Sequence, residues 1–309
     1  MAPVDPLRFA LDTAPYRSGD HAWVDELDRH VVHPGEPHHR MGTRAIDEAA
    51  WLRVDEHRAT EIALRQRLVA EATDEVIAVR DGSEAACDEV AATVQEWLVG
   101  HHPETLVDWD TSIAHPLVRA GLAVQDDLCV MEHDGHDWRL TAAIVCFPTS
   151  WQLADKIGRP QGRIHEPVPH FDATLTRRVD TFFDRLAPGR IVSRRNWGIT
   201  PHPLLFVPAY EALPRPEPWD VEHLWLRSER QTLRRLPRTG AVLFTIGVQL
   251  APLTALRGRA DVAARLLDTI ERWPADLAAD RVGPHDWVPM ATTWLREVAG
   301  DRADRGSSV

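Results

Sequence analysis

Apolar residues recur at helical spacing in several segments of the chain, and each of these segments predicts an amphipathic helix. The clearest is ATLTRRVDTFFDRLAPG, where Leu175, Val179 and Phe183 fall on one face and Pro188-Gly189 ends the pattern. The other segments run from Ile46 to about Val79, Cys87 to Leu98, Ala255 to Trp273 and Trp287 to Val298. The chain is therefore expected to carry helices towards both ends and one in the middle.

Between residues 122 and 250 the pattern changes to that of β-strands. Two β-rich runs, Leu122–Glu132 and Trp138–Phe147, flank an Asp134-Gly135 turn and predict a hairpin. Three more runs, RIVSRRNWGIT, EHLWLRSERQTL and GAVLFTIGVQLAPL, are typical of strands. SWQLADKIG is expected to form a short helix with Ser150 as its N-cap. About five strands, with helices before, among and after them, predict an α+β fold around one mainly antiparallel sheet.

One domain is expected to account for most of the 309 residues. Residues 1–45, rich in Pro, His and Asp, predict an irregular N-terminal arm, residues 46–300 a single α+β domain, and residues 301–309 a flexible tail. The arm carries His33, His38 and His39, which could suggest a metal site. Prolines and glycines interrupt every regular face there, and no acidic or cysteine partner recurs at ligand spacing, so a metal site is the less favoured interpretation.

The charge balance and the cysteine content exclude several classes of protein. The net charge of −12 argues against a nucleic-acid binder, which needs a basic face. Three scattered cysteines, Cys87, Cys129 and Cys146, fit reduced thiols and are too few to hold an iron–sulfur cluster. The N-terminus lacks a signal-peptide core, and there is no run of about 18 apolar residues that would span a membrane. We expect a cytoplasmic protein without nucleic-acid or membrane partners.

Common enzyme motifs are absent, whereas one histidine and two arginine clusters stand out. The sequence has no dinucleotide-binding, P-loop, zinc-protease or serine-hydrolase motif. In GRPQGRIHEPVPHF, Pro160, Pro167 and Pro169 impose a stiff, non-helical backbone around His165. Such a segment can present an imidazole at a fixed angle or simply turn a corner. The guanidinium groups of RRNW and RSERQTLRRLPR suit a ligand with two carboxylates, or salt bridges within the chain.

A series of motifs resembles the α subunit of the heme-dependent oxidative N-demethylases, a family long known only as a domain of unknown function. These motifs are, in order, WRLTAAIVCFPTSWQLADKIGRPQGRIHEPVPHF, RVDTFFDRL, RRNWGIT and RQTLRRLPRTGAVLFTI. The resemblance starts near HRMGTRAIDEAAWL and runs to about Pro252. It implies a PAS-like sheet with flanking helices and an N-terminal helical segment, with the PAS-like core at about residues 120–252.

The resemblance also implies a cofactor, a reaction and partners. It implies one heme b and a monooxygenase that uses O2 to demethylate a small amine, with release of formaldehyde. Electrons would come from NADPH through a separate flavin and iron–sulfur partner, either a reductase subunit or a ferredoxin-type protein. His165 matches the family's histidine motif and is the expected proximal ligand of the heme iron. His170, where the family usually has a small residue, is the second choice.

Residue type suggests candidates for the remaining roles. The heme propionates need cationic partners, for which the candidates are Arg163, Arg194 and Arg230. A protonated amine needs a carboxylate or an aromatic face, for which the candidates are Glu229, Asp127 and Trp197.

Two alternatives stay open at this point. One is a PAS-like heme or ligand sensor without turnover, although no kinase or DNA-binding output domain is visible in the sequence. The other is a chain that has lost heme and serves as a structural partner subunit.

Overall fold

A seven-stranded sheet forms the centre of the chain in this computed structural model, which describes residues 4–27, 42–164, 173–209, 213, 220–274 and 287–305. The strands are β1 (Arg44–Ile46), β2 (Ile77–Val79), β3 (Asp127–His133), β4 (Trp138–Ile144), β5 (Ile191–Thr200), β6 (Trp225–Arg235) and β7 (Val242–Pro252). Their order is β1-β5-β6-β7-β3-β4-β2, and every neighbouring pair is antiparallel. The predicted α+β fold with one antiparallel sheet is confirmed.

Strands β5, β6 and β7 are the longest and lie side by side within the sheet. β5 pairs with β6 along its whole length, from Ile191 opposite Arg234 to Thr200 opposite Trp225. β6 and β7 are joined by a turn in which Gly240 has a φ of +75°, a conformation that favours glycine. Because the pairing is unbroken, the register determines which side chains of neighbouring strands share a face of the sheet.

Helices flank the sheet. They are α1 (Ala14–Ser18), α2 (Arg58–Glu71), α3 (Thr73–Val76), α4 (Glu84–His101), α5 (Pro116–Leu122), α6 (Gln161–Ile164), α7 (Ala173–Arg185), α8 (Ala260–Glu271) and α9 (Val288–Arg305). Apolar residues of α2, α4, α5 and α7 belong to the main core together with the sheet. α8 and α9 form a second core with Trp197, Leu226 and Ala251 of the central strands. None of the described helices is both long and apolar enough to cross a bilayer.

The predicted hairpin is formed by β3 and β4, and it is confirmed by the pairing of His133 with Trp138 next to the turn. Gly135 in this turn has a φ of +98°. The carboxylate of Asp134 accepts the backbone N–H groups of His136 and Asp137. An aspartate that satisfies turn N–H groups, followed by a glycine in the left-handed region, is the chemistry that such a turn needs.

Two segments differ from the predicted pattern. The helix expected from residue 46 to about residue 79 is divided into α2, α3 and the edge strand β2, because residues 77–79 pair with β4. SWQLADKIG has only one 3-10 turn, at Leu153–Asp155. Ser150 is not its N-cap: its φ is +56°, and its N–H donates to the carbonyl of Val207. A tertiary backbone contact therefore overrides the local capping signal.

The described part of the N-terminal arm packs against the rest of the chain. Phe9, Tyr16, Val24 and Leu27 are buried, and β1 pairs with β5. The described segment that carries these side chains contains only short helical turns, at Pro6–Phe9, Ala14–Ser18 and Ala22–Glu26. At the other end, α9 continues to Arg305, so the first residues of the predicted tail are helical. The division of the chain into domains stays a prediction.

Candidate functional site

The middle of the sheet carries a row of polar residues on one face, which we call the polar face. Cross-strand neighbours share a face, and in the β5–β6 register they are Arg194 with Gln231, Asn196 with Glu229, and Gly198 with Arg227. Apart from the buried Arg227, all of these residues are partly exposed. The centre of a sheet is normally covered by apolar packing, so a polar and partly exposed row there indicates a surface that is used for something else.

At Gly198, in the middle of this face, no side chain of the described residues covers the backbone closely. A Cβ atom built on Gly198 would meet no atom of the described residues within 4 Å. Glycine in a strand interior weakens the strand and often marks a place where a ligand approaches the backbone closely. The polar face therefore offers a flat approach to the main chain of β5.

Glu229 is the only carboxylate of the polar face, and its orientation is determined by two neighbours. One oxygen, Oε1, accepts a hydrogen bond from Thr149 Oγ1 at 2.6 Å, and Oε2 accepts one from Gln231 Nε2 at 2.9 Å. Thr149 Oγ1 in turn accepts a hydrogen bond from Arg227 Nε at 2.8 Å. A hydroxyl that accepts from a guanidinium is a stronger donor. The chain of bonds from Arg227 through Thr149 therefore holds the Glu229 carboxylate in one position.

Arg227 has a structural role that explains its burial. Its guanidinium donates to four backbone carbonyls, those of Phe147, Pro148, Leu204 and Leu205. These contacts bind two loop segments to β6, and one of them carries Thr149. Arg227 thus holds in place the loop that carries Thr149, and Thr149 orients Glu229.

The structure describes the histidine segment only as far as Ile164. His165 and His170 lie outside the described residues, so the proximal ligand stays a prediction. Helix α6 ends at Ile164, and the carbonyl of Ile164 accepts a hydrogen bond from Lys156 Nζ at 2.6 Å. The only lysine of the chain therefore holds the backbone carbonyl that directly precedes His165.

The helices at the two ends of this segment are in close contact. A Cβ atom on Gly162 of α6 would lie 2.6 Å from Cγ2 of Thr176 on α7. Only glycine permits this approach without a shift of the helices. The predicted propionate partner Arg163 lies exposed on α6, whereas the predicted partner Arg194 lies on the polar face.

Arg230 and Trp197 were predicted to belong to the same site as Arg194 and Glu229, but the structure separates them. Arg230 pairs with Arg195, and each is the direct sequence neighbour of a residue of the polar face. Because successive side chains of a strand alternate, Arg230 points to the opposite side of the sheet. Its guanidinium donates to the carbonyls of Ala50 and Trp51. The ring of Trp197 is buried in the second core, 6.0 Å from the ring of Trp273. Alternation along each strand separates Arg230 from Glu229, and the β5–β6 register shows which residues of the two strands share a face.

Asp127 lies in a buried network of charged side chains. Its Oδ1 is 2.7 Å from Arg65 Nη1, and its two oxygens accept the backbone N–H groups of Cys146 and Phe147. Both side chains are completely buried. Burial raises the pKa of Asp127, and the Arg65 guanidinium opposes this effect. The Asp127 carboxylate is completely buried and already paired with a cation, so its predicted role towards an amine gains no support from these contacts.

Glu61, which was not among the predicted site residues, is the centre of another part of this network. Its carboxylate accepts hydrogen bonds from Tyr16 Oη at 3.1 Å, from Gln125 Nε2 at 2.9 Å and from the guanidinium of Arg53. Burial raises the pKa of Glu61 to about 7, although Arg53 opposes the shift. A signal was present in the sequence: Glu61 and Arg65 are spaced by four on the buried stripe of α2.

The family comparison agrees with the order of the sequence motifs. A family model described as "Haem-dependent oxidative N-demethylase, alpha subunit-like" matches residues 42–290. The chain belongs to this family. The match includes the strands of the polar face and the histidine segment, and it confirms the predicted resemblance. The description points to a heme-dependent oxidoreductase and, through the words "alpha subunit", to a further subunit.

The polar face satisfies two requirements of a heme site. A flat macrocycle needs open space beside the protein backbone, which Gly198 provides. Heme propionates need cationic partners, and Arg194 is a partly exposed guanidinium on the same face. Within the described ranges, no group of three or more His, Cys, Asp or Glu side chains could hold a free metal ion. The open backbone at Gly198 and the guanidinium of Arg194 thus fit a flat prosthetic group that carries carboxylates.

Proposed function

We propose that the chain is a heme b monooxygenase subunit that removes a methyl group from a small amine. Membership of the family supports heme dependence and the type of reaction. The observation that carries the proposal to particular residues is the polar face, where the open backbone at Gly198 lies beside one oriented carboxylate, Glu229. A PAS-like fold of the core remains part of this proposal.

Three residues would hold the cofactor. His165 would bind the iron, and Arg194, with Arg163 as the second candidate, would pair with the propionates. When bound, heme would supply the oxidising chemistry, in which O2, two electrons and two protons convert the C–H bond next to the amine nitrogen into C–OH and one water molecule. The protein's own contribution is to hold the amine in one pose and to exclude water.

Glu229 is the residue that would bind the protonated amine. Its carboxylate complements the ammonium charge, and Thr149 and Gln231 fix both of its oxygens in place. Because the bonds from Thr149 and Gln231 already orient the carboxylate, little side-chain entropy is lost when the amine binds. The hydroxylated product releases formaldehyde and leaves the shorter amine.

The electrons would come from a separate protein. The sequence has no dinucleotide-binding motif and only three scattered cysteines. We therefore propose that NADPH delivers electrons through a flavin and iron–sulfur reductase subunit or a ferredoxin-type partner. The net charge of −12 favours a partner with a basic docking surface.

Formaldehyde release from the heme-loaded protein tests this proposal. With dimethylamine, O2, NADPH and an added reductase, we expect formaldehyde in proportion to NADPH consumed, and none when the reductase is omitted. A Soret band that shifts on addition of amine, without formaldehyde under any electron supply, would favour the sensor alternative instead. Turnover with NADPH and O2 alone would refute the separate reductase.

A further inference from the structure

Lys156 is the only lysine of the chain, in which Lys and Arg together number 35, so the other 34 of these cationic side chains are arginines. A guanidinium is a planar fork that suits two acceptors, whereas an ammonium is a compact charge on a flexible stem. Lys156 Nζ donates to the carbonyl oxygen of Ile164 at 2.6 Å. Because the donor is charged, this hydrogen bond belongs to the stronger class.

The turn that carries Lys156 is fixed to strand β4. The N–H of Gly158 donates to the carbonyl of Leu140 at 2.7 Å, and the N–H of Leu140 donates back to the carbonyl of Arg159 at 3.3 Å. Gly158 has a φ of +76°, a conformation that favours glycine. The stem of Lys156 therefore starts from a backbone that is itself held in place.

Three groups of Ile164, the last residue of α6, are held by the rest of the chain. Its N–H donates to the carbonyl of Pro160 at 3.1 Å, its side chain packs against the main core, and its carbonyl accepts from Lys156. The last carbonyls of a helix have no partner within the helix, and donation by a lysine side chain is one of the ways in which they are satisfied. Lys156 therefore completes the C-terminal end of α6.

The carbonyl of Ile164 belongs to the peptide unit that leads into His165. A peptide unit is planar and contains both the carbonyl oxygen and the Cα atom of the following residue. A hydrogen bond that holds the oxygen therefore restrains the plane from which the following residue starts. Residues that orient a metal ligand in this indirect way have measurable effects on metal affinity and on the properties of the metal.

We propose that Lys156 is a positioning residue for the heme ligand, acting on His165 through the carbonyl of Ile164. The inference rests on the proposed function, because that function takes His165 as the ligand of the iron. Lys156 touches neither the iron nor the amine in this role. Without the ammonium, the peptide plane before His165 loses one restraint, and the imidazole should bind the iron less firmly and in a wider range of orientations.

Hemin-loaded full-length protein tests this role with the variant Lys156→Met, which keeps the apolar stem and removes the donor. In the reduced protein, the iron–histidine stretching band in resonance Raman spectra should broaden and move to lower frequency than in the wild type. Transfer of hemin to excess apomyoglobin should be about fivefold faster or more, as expected for the loss of one hydrogen bond. Lys156→Arg keeps a cationic donor, so its band and its transfer rate should lie between those of wild type and Lys156→Met.

Two controls separate positioning from a general loss of stability. Ile157→Ala truncates an apolar side chain of the same turn, which packs against the main core, and should lower the free energy of unfolding while the Raman band stays as in the wild type. Arg159→Met removes an exposed cation nearby and should change neither quantity. A wild-type band in Lys156→Met, or an equal shift in Ile157→Ala, would overturn the proposal. If Lys156→Met fails to fold, Lys156→Gln, which lacks the charge and has a shorter side chain, takes its place in the same comparison.

The His165→Ala variant and formaldehyde assays keep this proposal separate from the proposed function. A chain that binds hemin through His165 but shows the wild-type band in Lys156→Met contradicts only the positioning role. A band that depends on both His165 and Lys156, in a protein that never releases formaldehyde, contradicts only the demethylation. A chain that binds no hemin contradicts both.

Discussion

At the scale of single residues, Glu229 is the side chain on which amine binding depends. Its replacement by glutamine removes the charge and keeps the size and the acceptor for Thr149. We expect Glu229→Gln to lower kcat/KM for the amine about tenfold, mainly through KM, because one ammonium–carboxylate interaction is lost. The free energy of unfolding should change by about 1 kcal/mol or less. Steady-state formaldehyde assays and urea unfolding measure the two effects.

The control for this variant is a second glutamate in a similar local setting. Glu132 on β3 accepts a hydrogen bond from Thr141 Oγ1 at 2.5 Å, away from the polar face. Glu132→Gln should leave kcat and KM unchanged. Equal effects of the two substitutions, or a Glu229→Gln enzyme with an unaltered KM, would show that Glu229 does not bind the amine.

Glu61 predicts a particular dependence of stability on pH. Its folded-state pKa of about 7 exceeds the ordinary value of 4.5, so between these values the folded chain keeps a proton that the unfolded chain has lost. The contribution of Glu61 to stability therefore falls as pH rises from 4.5 to about 7, by at most about 1.4 kcal/mol per pH unit, and is constant above that. The difference in unfolding free energy between wild type and Glu61→Gln should follow this slope.

Glu89 should show the opposite dependence of stability on pH, because its pKa is lowered rather than raised. Thr239 and the backbone N–H groups of Arg238 and Thr239 bind its carboxylate and hold its pKa below the ordinary value, despite burial. The difference in unfolding free energy between wild type and Glu89→Gln should be constant between pH 5 and 7. It should decrease only as the pH falls through the lowered pKa of Glu89. A flat difference for Glu61→Gln over pH 4.5 to 7 would mean that Arg53 keeps Glu61 ionised.

At the scale of elements, the sharpest prediction concerns β5, because no described atom covers its backbone closely at Gly198 on the polar face. Gly198→Leu should fold, since a Cβ atom at this position has no described atom within 4 Å and leucine restricts the unfolded chain more than glycine does. Its free energy of unfolding should stay within about 1 kcal/mol of wild type. The same side chain should occupy the space proposed for heme, so the purified protein should lose its Soret band.

Gly247 on β7 is the matched glycine. A Cβ there would lie 2.8 Å from Asp126 Oδ1, so Gly247→Ala should destabilise the fold by about 1–3 kcal/mol through crowding. The folded fraction of Gly247→Ala should still bind heme. If Gly198→Leu retained heme as the wild type does, the polar face would not be the heme surface.

The positions of the helices and strands were largely predictable from the sequence. Which side chains of neighbouring strands share a face of the sheet was not. α7 and the three long strands follow from strong local periodicity, and the Asp134-Gly135 turn from its own chemistry. Ser150 shows the limit, because its backbone is determined by a bond to Val207, which is distant in sequence. The sequence likewise left Trp197 and Glu229 as candidates for one role, since only the β5–β6 register reveals that Asn196, and not Trp197, lies opposite Glu229.

At the scale of the whole molecule, the sheet separates two chemically different surfaces. One side carries the polar face with Glu229 and Arg194, and the other carries Trp197, which packs in the second core with α8 and α9. The sequence motifs were sufficient to predict the family. They were not sufficient to find the buried network around Glu61, because buried charged residues resemble surface residues in a sequence until the helix that carries them is placed against the sheet.

Titration of the full chain with hemin, followed at the Soret band, tests the central claim most directly. We predict saturation at about one heme per chain, with His165 as the ligand. His165→Ala should change the ferric spectrum, and added imidazole should partly restore it by replacing the lost ligand, whereas His170→Ala should leave the spectrum as in the wild type. A chain that binds no hemin, or one in which His165→Ala has the wild-type spectrum, would contradict the account.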